Sequence, residues 1–415
     1  MKKITSLVAI SFVSIVLNGC ASFGKGIAEA FLEKQDTEDT RVCEITGNKF
    51  NGLKPQLEAP GRKMKVLMVH GVGNHLPGYS TEFLEKLAKE LDLTVMAKAH
   101  KNIKLAGPVD PNKNLGNLRI HRYLNKEKTQ ELLFYELSWS EITAQDKEVL
   151  SYDNSGEYSF RRAEVNDLLK KFSNDTGPDP IIYLGEKRED ILTAFAQSFC
   201  WMINGDWDSL PDDVHQVCSS RNVTPFYNDS YAFVSHSLGS RITIDGLQRI
   251  ASIWTSSENA PYYTAIANVM KNKEVPIYMM SNQLPMLQLG RTLPEITNQA
   301  GAYCQPTGEK YADRILKNTN IIAFSDPNDL LSYSLPLSFV NKYLDSRLCV
   351  NVTNININVA KVYDAFGLGR LANPLDAHIG YDTDDRVIAL IANGIANEKT
   401  APIVNERCRW TETID

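Results

Sequence analysis

Ser237 lies at a point in the sequence where its hydroxyl could act as a nucleophile. The apolar run at 231–234 predicts a buried strand, and a helical pattern begins directly after the serine. Gly239 and the small Ser235 lie two residues to either side, as a sharp, exposed strand-to-helix turn requires. A serine hydroxyl is a weak nucleophile, so this chemistry also needs a general base and a carboxylate that orients the base.

His378 is the single histidine after Ser237, and imidazole is the usual general base for a serine. It lies between the last predicted strand and the last predicted helix. Two carboxylates, Asp326 and Asp329, follow the preceding predicted strand, so either could reach the imidazole from a neighbouring loop. Asp376 lies two residues before His378 and ranks third, because it would have to orient a base on its own loop.

Apolar runs that alternate with amphipathic helices must position these residues. Continuous apolar runs are typical of strands that are covered on both faces of a sheet. The predicted strands lie at 66–69, 93–97, 118–123, 132–139, 231–234, 275–280, 320–324 and 355–359. The predicted helices lie at 83–91, 188–203, 244–254 and 384–396. This alternation predicts an α/β fold with a mostly parallel, helix-covered sheet.

Residues 235–247, Ser-His-Ser-Leu-Gly-Ser-Arg-Ile-Thr-Ile-Asp-Gly-Leu, resemble the nucleophile turn and helix of lipid-acting α/β-hydrolases, including DDHD-type and class 3 lipase-like proteins. Residues 179–184, before a helix, are also similar to the DDHD group. The superfamily resemblance extends over about 61–400. It implies an α/β-hydrolase fold with an inserted cap at about 141–180, and a chain order of nucleophile, acid, then histidine.

The resemblance also favours one of the two carboxylates. Asp329, followed by two leucines and a serine, is similar to the lipase pattern of an aspartate, two apolar residues and a small residue. Asp326 precedes a proline, an arrangement that commonly begins a turn. We therefore predict a triad of Ser237, Asp329 and His378, which needs no cofactor and no metal.

A hydrolase of this type also needs backbone donors for the tetrahedral oxyanion. The resemblance implies that one donor is the N–H of Leu238 and that the other comes from the loop after the third strand of the family's sheet. The sequence His-Gly-Val-Gly at 70–73 occupies that place, so we predict the Val72 N–H, with Gly73 as the alternative. His70 is predicted to be structural, since it precedes the nucleophile.

The other polar and aromatic residues near these motifs are predicted to have structural roles. Five histidines without ligand-like spacing are predicted to be surface or loop residues: His75, His100, His121, His215 and His236. Asp245 is predicted to be a hydrogen-bond partner in helix packing. Tyr183 and Trp139 are predicted to be core residues, with the lining of an acyl pocket as the alternative.

Residues 1–19 have the features of a bacterial signal peptide that ends at a lipidated cysteine. Two lysines precede an apolar run at 4–17, which is shorter than the roughly 20 residues that span a membrane. The sequence Leu-Asn-Gly-Cys at 17–20 resembles a lipobox, which implies cleavage before Cys20 and lipidation of its thiol. Because Ala21 follows, we expect residence in the outer membrane of a host with two membranes.

Six cysteines remain after Cys20. An exported chain meets an oxidising compartment, so disulfides are predicted. Six cysteines allow 15 complete pairings, between which the sequence does not choose, although Cys200 and Cys218 form the most local pair. No CxxC motif or His/Cys cluster indicates a zinc site.

Composition excludes two broad classes. With 43% hydrophobic residues the chain can bury a large core, so it is not a disordered protein. A net charge of −6 and the lack of a Lys/Arg block argue against nucleic-acid binding. The predicted organisation is a signal peptide, a lipid-anchored tether at 20–60 and an α/β-hydrolase domain at 61–415.

The predicted function is hydrolysis of a carboxylic ester, with a lipid as the expected substrate of a lipase, esterase or phospholipase. The expected partners are this substrate and the membrane that holds the acyl chains on Cys20. The cap at 141–180, with 205–224, would cover the site. Two alternatives use the same residues: a catalytically silent hydrolase scaffold that acts as a binding lipoprotein, and an acyltransferase.

Overall fold

The computed structural model describes residues 41–151, 162–219, 228–256, 258–364, 370–396 and 399–411. The predicted signal peptide and the predicted lipidation site, Cys20, lie outside the described residues. The strands are β1 Cys43–Gly47, β2 Lys63–Val69, β3 Thr94–Ala106, β4 Asn114–Leu124, β5 Glu131–Ser138, β6 Val214–Gln216, β7 Ser230–His236, β8 Glu274–Met280, β9 Asn318–Ser325, β10 Val350–Ile357, β11 Val362–Asp364, β12 Arg370–Ala372 and β13 Cys408–Trp410.

The α-helices of the described residues follow or separate these strands. They are α1 Lys54–Leu57, α2 Thr81–Glu90, α3 Glu141–Lys147, α4 Glu164–Thr176, α5 Pro178–Leu184, α6 Arg188–Asn204, α7 Leu238–Thr255, α8 Ala260–Met270, α9 Leu284–Leu287, α10 Ala300–Cys304, α11 Leu337–Tyr343, α12 Pro374–Ile379, α13 Asp385–Asn393 and α14 Pro402–Arg407. Each strand predicted from an apolar run overlaps an observed strand.

Eleven strands form one mixed sheet in the order β13-β1-β10-β9-β8-β7-β2-β5-β4-β3-β6. The six neighbours from β10 to β5 are all parallel. Antiparallel pairing joins β1 to β10 at one end, and β4 to β5 and β3 to β4 at the other. The predicted α/β class with a mostly parallel sheet is confirmed.

Successive side chains of the central strands enter two separate cores. In β2, Leu67 and Val69 pack into the core on the face covered by α6 and α7, whereas Val66 and Met68 pack into the core beneath α2 and α13. All four are fully or almost fully buried. Strand side chains alternate between faces, so burial on both faces requires a continuous apolar run. This is the pattern that predicted β2.

Two segments differ from their predicted places. Part of the tether expected at 20–60 belongs to the sheet, because β1 pairs with β10 and β13, and α1 packs against α13. In the segment 205–224, β6 extends the sheet beyond β3. The region predicted as a cap holds α3, α4 and the start of α5, all between β5 and α6.

Three disulfides cross-link the described chain: Cys43–Cys408, Cys200–Cys218 and Cys304–Cys349. The prediction that disulfides form is confirmed, and the most local pair is among them. Cys43 and Cys408 lie opposite each other on the adjacent strands β1 and β13. This disulfide therefore links the edge strand β13 covalently to its neighbour β1.

Candidate active site

The site lies at the carboxyl ends of four neighbouring strands, β2, β7, β8 and β9. Ser237 is the single residue between β7 and α7, with φ 55° and ψ −125°. A positive φ is unfavourable for a residue with a side chain, so the surrounding packing must hold this turn. A Cβ added to Gly239 would lie 2.2 Å from the Val69 carbonyl oxygen, which explains why this turn tolerates only a small residue there.

His378, in α12, lies between the side chains of Ser237 and Asp329. Its Nε2 is 3.2 Å from the Ser237 Oγ, and its Nδ1 is 3.0 Å from the Asp329 Oδ1 and 3.1 Å from Oδ2. An ionised carboxylate only accepts hydrogen bonds, so the Nδ1 proton points to Asp329. The Nε2 of the neutral imidazole can then accept the Ser237 proton.

Asp329 is held in its ionised form. Burial opposes ionisation, but hydrogen bonds from His378, Ser281 and the Leu331 N–H outweigh it and lower the pKa of the Asp329 carboxyl below its ordinary value. A lasting negative charge beside Nδ1 stabilises the imidazolium that forms when Nε2 takes a proton.

The other two carboxylates considered for this position lie elsewhere. The Asp326 Oδ2 accepts the N–H groups of Val359 and Ala360 at 2.7 and 3.0 Å, so this residue holds the loop after β10. Asp376 is exposed. Among the three, the structure brings Asp329 to His378.

Ser281, directly after β8, is a member of this site that the sequence did not reveal. Its Oγ donates to the Asp329 Oδ2 at 2.7 Å and lies 2.9 Å from the His378 Nδ1. Its φ is 51°, so the backbone turns sharply where β8 ends. The sequence signal that could have identified Ser281 is its place after the strand that follows the nucleophile helix, because carboxyl ends of adjacent parallel strands meet at one edge.

The loop at 70–73 lies directly against Ser237. A Cβ added to Gly71 would lie 2.7 Å from the Ser237 Cβ, so any side chain there would collide with the serine. The Gly73 N–H donates to the Asp179 carboxylate at 2.6 Å and is therefore occupied. Neither the Val72 N–H nor the Leu238 N–H makes a hydrogen bond to an acceptor of the described chain. Of the two loop donors considered, Val72 is the free one.

Two imidazoles hold the carbonyl groups of this loop. The His70 Nε2 accepts the Trp139 N–H at 3.1 Å, so the proton of the neutral ring is on Nδ1, which donates to the Gly71 carbonyl at 2.8 Å. Burial lowers the pKa of His70 well below its ordinary value, so the ring stays neutral. His75 donates from Nε2 to the Val72 carbonyl at 3.0 Å. His70 has the structural role that was predicted.

His236 and His121 differ from the prediction of surface or loop histidines. Burial, with His378 nearby, lowers the pKa of His236 to about 3, and its Nε2 donates to the His378 carbonyl at 2.8 Å. It therefore holds the backbone of the residue predicted as the base. His121 is buried in β4. The spacing of histidines carried no information on such long-range contacts.

Ser237 has no solvent exposure, although we expected it on an exposed turn. The side chain of His378 is 13% exposed. Leu330 directly follows Asp329 in the sequence, and Ile379 directly follows His378; both apolar side chains are exposed. Access to the Ser237 hydroxyl therefore requires movement of the groups around it.

Among the described residues, no group of three or more His, Cys, Asp and Glu side chains could hold a metal ion. Within the same residues, no helix is both long and apolar enough to cross a membrane. Searches against protein-family models, curated proteins and solved structures find no match to this chain.

Proposed function

We propose that the protein is a serine hydrolase of the α/β-hydrolase type that cleaves carboxylic esters. The observation that carries the proposal is the hydrogen-bonded series Ser237, His378 and Asp329, at 3.2 and 3.0 Å. The three side chains come from three separate segments of the chain. Their order along the chain agrees with that of the hydrolases that residues 235–247 resemble.

In this mechanism Ser237 attacks the ester carbonyl while the His378 Nε2 takes its proton. Asp329 stabilises the resulting imidazolium, and the N–H groups of Val72 and Leu238 donate to the oxyanion. The imidazolium then gives its proton to the departing alkoxide, which leaves an acyl-enzyme. Water, deprotonated by the same imidazole, hydrolyses this ester and regenerates the Ser237 hydroxyl.

Exposed apolar residues around the site support a lipid as the substrate. Leu330, directly after Asp329, is 75% exposed, and Ile379, directly after His378, is 51% exposed. Leu76, which follows the loop at 70–73, is also exposed. Such side chains could contact an acyl chain that extends from the ester. Tyr183 and Trp139, for which the lining of an acyl pocket was the alternative, are buried in the core, as predicted.

A catalytically silent binding scaffold is favoured by one observation, the complete burial of Ser237. A fluorophosphonate distinguishes the scaffold from a hydrolase, because a serine that has an active base displaces the fluoride and becomes phosphonylated. We expect wild-type protein to be labelled on the peptide that contains Ser237, and to cleave members of a panel of esters with increasing acyl length. A folded protein that neither reacts with the probe nor cleaves any ester would favour the scaffold.

We also propose that the mature protein is held in a bacterial outer membrane by acyl chains on Cys20. The support is the lipobox-like sequence at 17–20. Cys20→Ser should abolish incorporation of radiolabelled palmitate and leave the protein soluble or unprocessed, because the thiol is the acceptor of the lipid. Palmitate label in the Cys20→Ser protein would contradict the proposal.

A further inference from the structure

A cluster of polar side chains beside α7 has more hydrogen-bond donors than acceptors. The arginine cluster consists of Tyr183, Arg188, Arg241, Asp245, Gln288 and Arg291. The Asp245 Oδ2 accepts the Tyr183 hydroxyl at 2.6 Å and the Arg291 Nη2 at 2.6 Å, while Arg241 pairs with Oδ1. Three guanidiniums meet one buried carboxylate, and the exposed Glu189 contacts Arg188, so positive charge exceeds negative charge.

Asp245 is the negative charge of the arginine cluster. Although burial opposes ionisation, Arg241 and Arg291 lower the pKa of its carboxyl to about 2. Its two oxygens already take part in four contacts, which is as many as a carboxylate ordinarily accepts. The Asp245 carboxylate is therefore shared among four donors, three on Oδ2 and one on Oδ1.

Three buried nitrogen atoms of the arginine cluster find no acceptor within the described part of the chain. They are the Nε of Arg241, the Nη1 of Arg291 and the Nε2 of Gln288. Arginine only donates, so the Gln288 atom that meets Arg241 at 2.8 Å is Oε1, and the amide nitrogen faces away. All three unpartnered atoms are thus donors, and the group that would satisfy them is an acceptor.

The arginine cluster lies near the site and reaches the surface on one side. Arg241 is one helical turn after Ser237, about 6 Å along the axis of α7. Gln288 lies seven residues after Ser281. The side chains of Arg291 and Arg188 are 13% and 32% exposed, so the arginine cluster meets solvent at these two residues.

We propose that the arginine cluster binds a phosphate-type oxyanion. Guanidinium and amide N–H groups match the oxygens of such an anion, and an ionised acceptor makes the stronger hydrogen bonds. The phosphate is either a free ion or the phosphate group of a phospholipid substrate, and this second source rests on the hydrolase function proposed above.

The thermal unfolding temperature Tm of the full chain tests binding without any catalysis. At equal ionic strength, saturating inorganic phosphate should raise the wild-type Tm by about 2 °C above its value in chloride. Arg291→Met should lose this shift. Arg409→Met should keep it, because Arg409 is 72% exposed and pairs with Glu44, on the strands β13 and β1 at the far edge of the sheet.

Gln288→Glu should raise the Tm, so it tests the proposal with a variant that remains folded. The new carboxylate supplies the missing acceptor inside the arginine cluster, so the Tm in phosphate-free buffer should rise and the phosphate shift should disappear. A wild-type protein with the same Tm in phosphate and in chloride would overturn the proposal, since water would then satisfy the donors.

The source of the anion is separated by two esters with identical short acyl chains, a phosphatidylcholine and a triglyceride. If the substrate supplies the phosphate, Arg291→Met should lower kcat/KM about tenfold on the phospholipid and leave the triglyceride unchanged. If a free ion is bound, the variant should affect both esters equally. A wild-type protein that hydrolyses neither ester would count against the hydrolase function. The Tm measurements in phosphate and chloride would still decide whether the arginine cluster binds phosphate.

Discussion

Ser237→Ala should abolish fluorophosphonate labelling and lower ester hydrolysis by about 10⁶-fold, because the variant lacks the hydroxyl that attacks the ester. His378→Ala should cost nearly as much, and the double variant little more, since the two side chains act as a unit. The measurements are gel fluorescence of the labelled protein and kcat on the most reactive ester of the panel.

The matched control is Ser235→Ala. Ser235 is also fully buried at the turn, but its hydroxyl lies 3.4 Å from that of Ser240 and makes no contact with His378. This variant should be labelled like the wild type. Because Ser237→Ala removes one oxygen and opens no large cavity, its Tm should stay close to that of the wild type. Labelling that persists in Ser237→Ala would show that another serine is the nucleophile.

Asp329→Asn and Asp326→Asn should separate catalysis from stability. The first variant should lower kcat by about 10⁴-fold with little change in Tm, because an amide facing Nδ1 favours the wrong imidazole tautomer. The second should keep most of its activity at low temperature. Its Tm should fall, because the amide nitrogen cannot accept the N–H groups of Val359 and Ala360, and each buried unpaired donor costs about 1–3 kcal/mol.

Steady-state kinetics and thermal unfolding, measured on the same preparations of Asp329→Asn and Asp326→Asn, compare the activity and the stability of the two variants. The reverse pattern, with Asp326→Asn inactive and Asp329→Asn active but less stable, would transfer the role of the acid to Asp326. Equal losses of activity would instead indicate that the loop after β9 had been disrupted as a whole.

The sequence predicted the central strands well because burial on both faces leaves a continuous apolar run. The runs at 66–69 and 231–234 follow directly from this requirement, which operates within a few residues. The choice between Asp326 and Asp329 was harder, since both follow β9. It depends on how the loop folds back: Asp326 contacts the loop after β10, whereas Asp329 contacts His378 of α12.

The remaining members of the site depend on contacts between distant segments. The left-handed backbone of Ser281 follows from a sharp turn. Three contacts join residues at least 45 positions apart: Ser281 with Asp329, the Gly73 N–H with the Asp179 carboxylate, and the His236 imidazole with the His378 carbonyl. No local periodicity records such contacts. The pairing of Cys43 with Cys408 is of the same kind, because it follows from the adjacency of β1 and β13.

The Cys43–Cys408 disulfide turns the chain between these residues into a closed covalent ring. A sequence separation of 365 places almost the entire domain inside the ring, including the other two disulfides. A single peptide-bond cleavage anywhere in the ring leaves one linear molecule with new ends rather than two fragments. The cleaved protein therefore keeps its full mass until a thiol reductant breaks the Cys43–Cys408 disulfide, and a protease that cuts once within the ring releases no part of the domain.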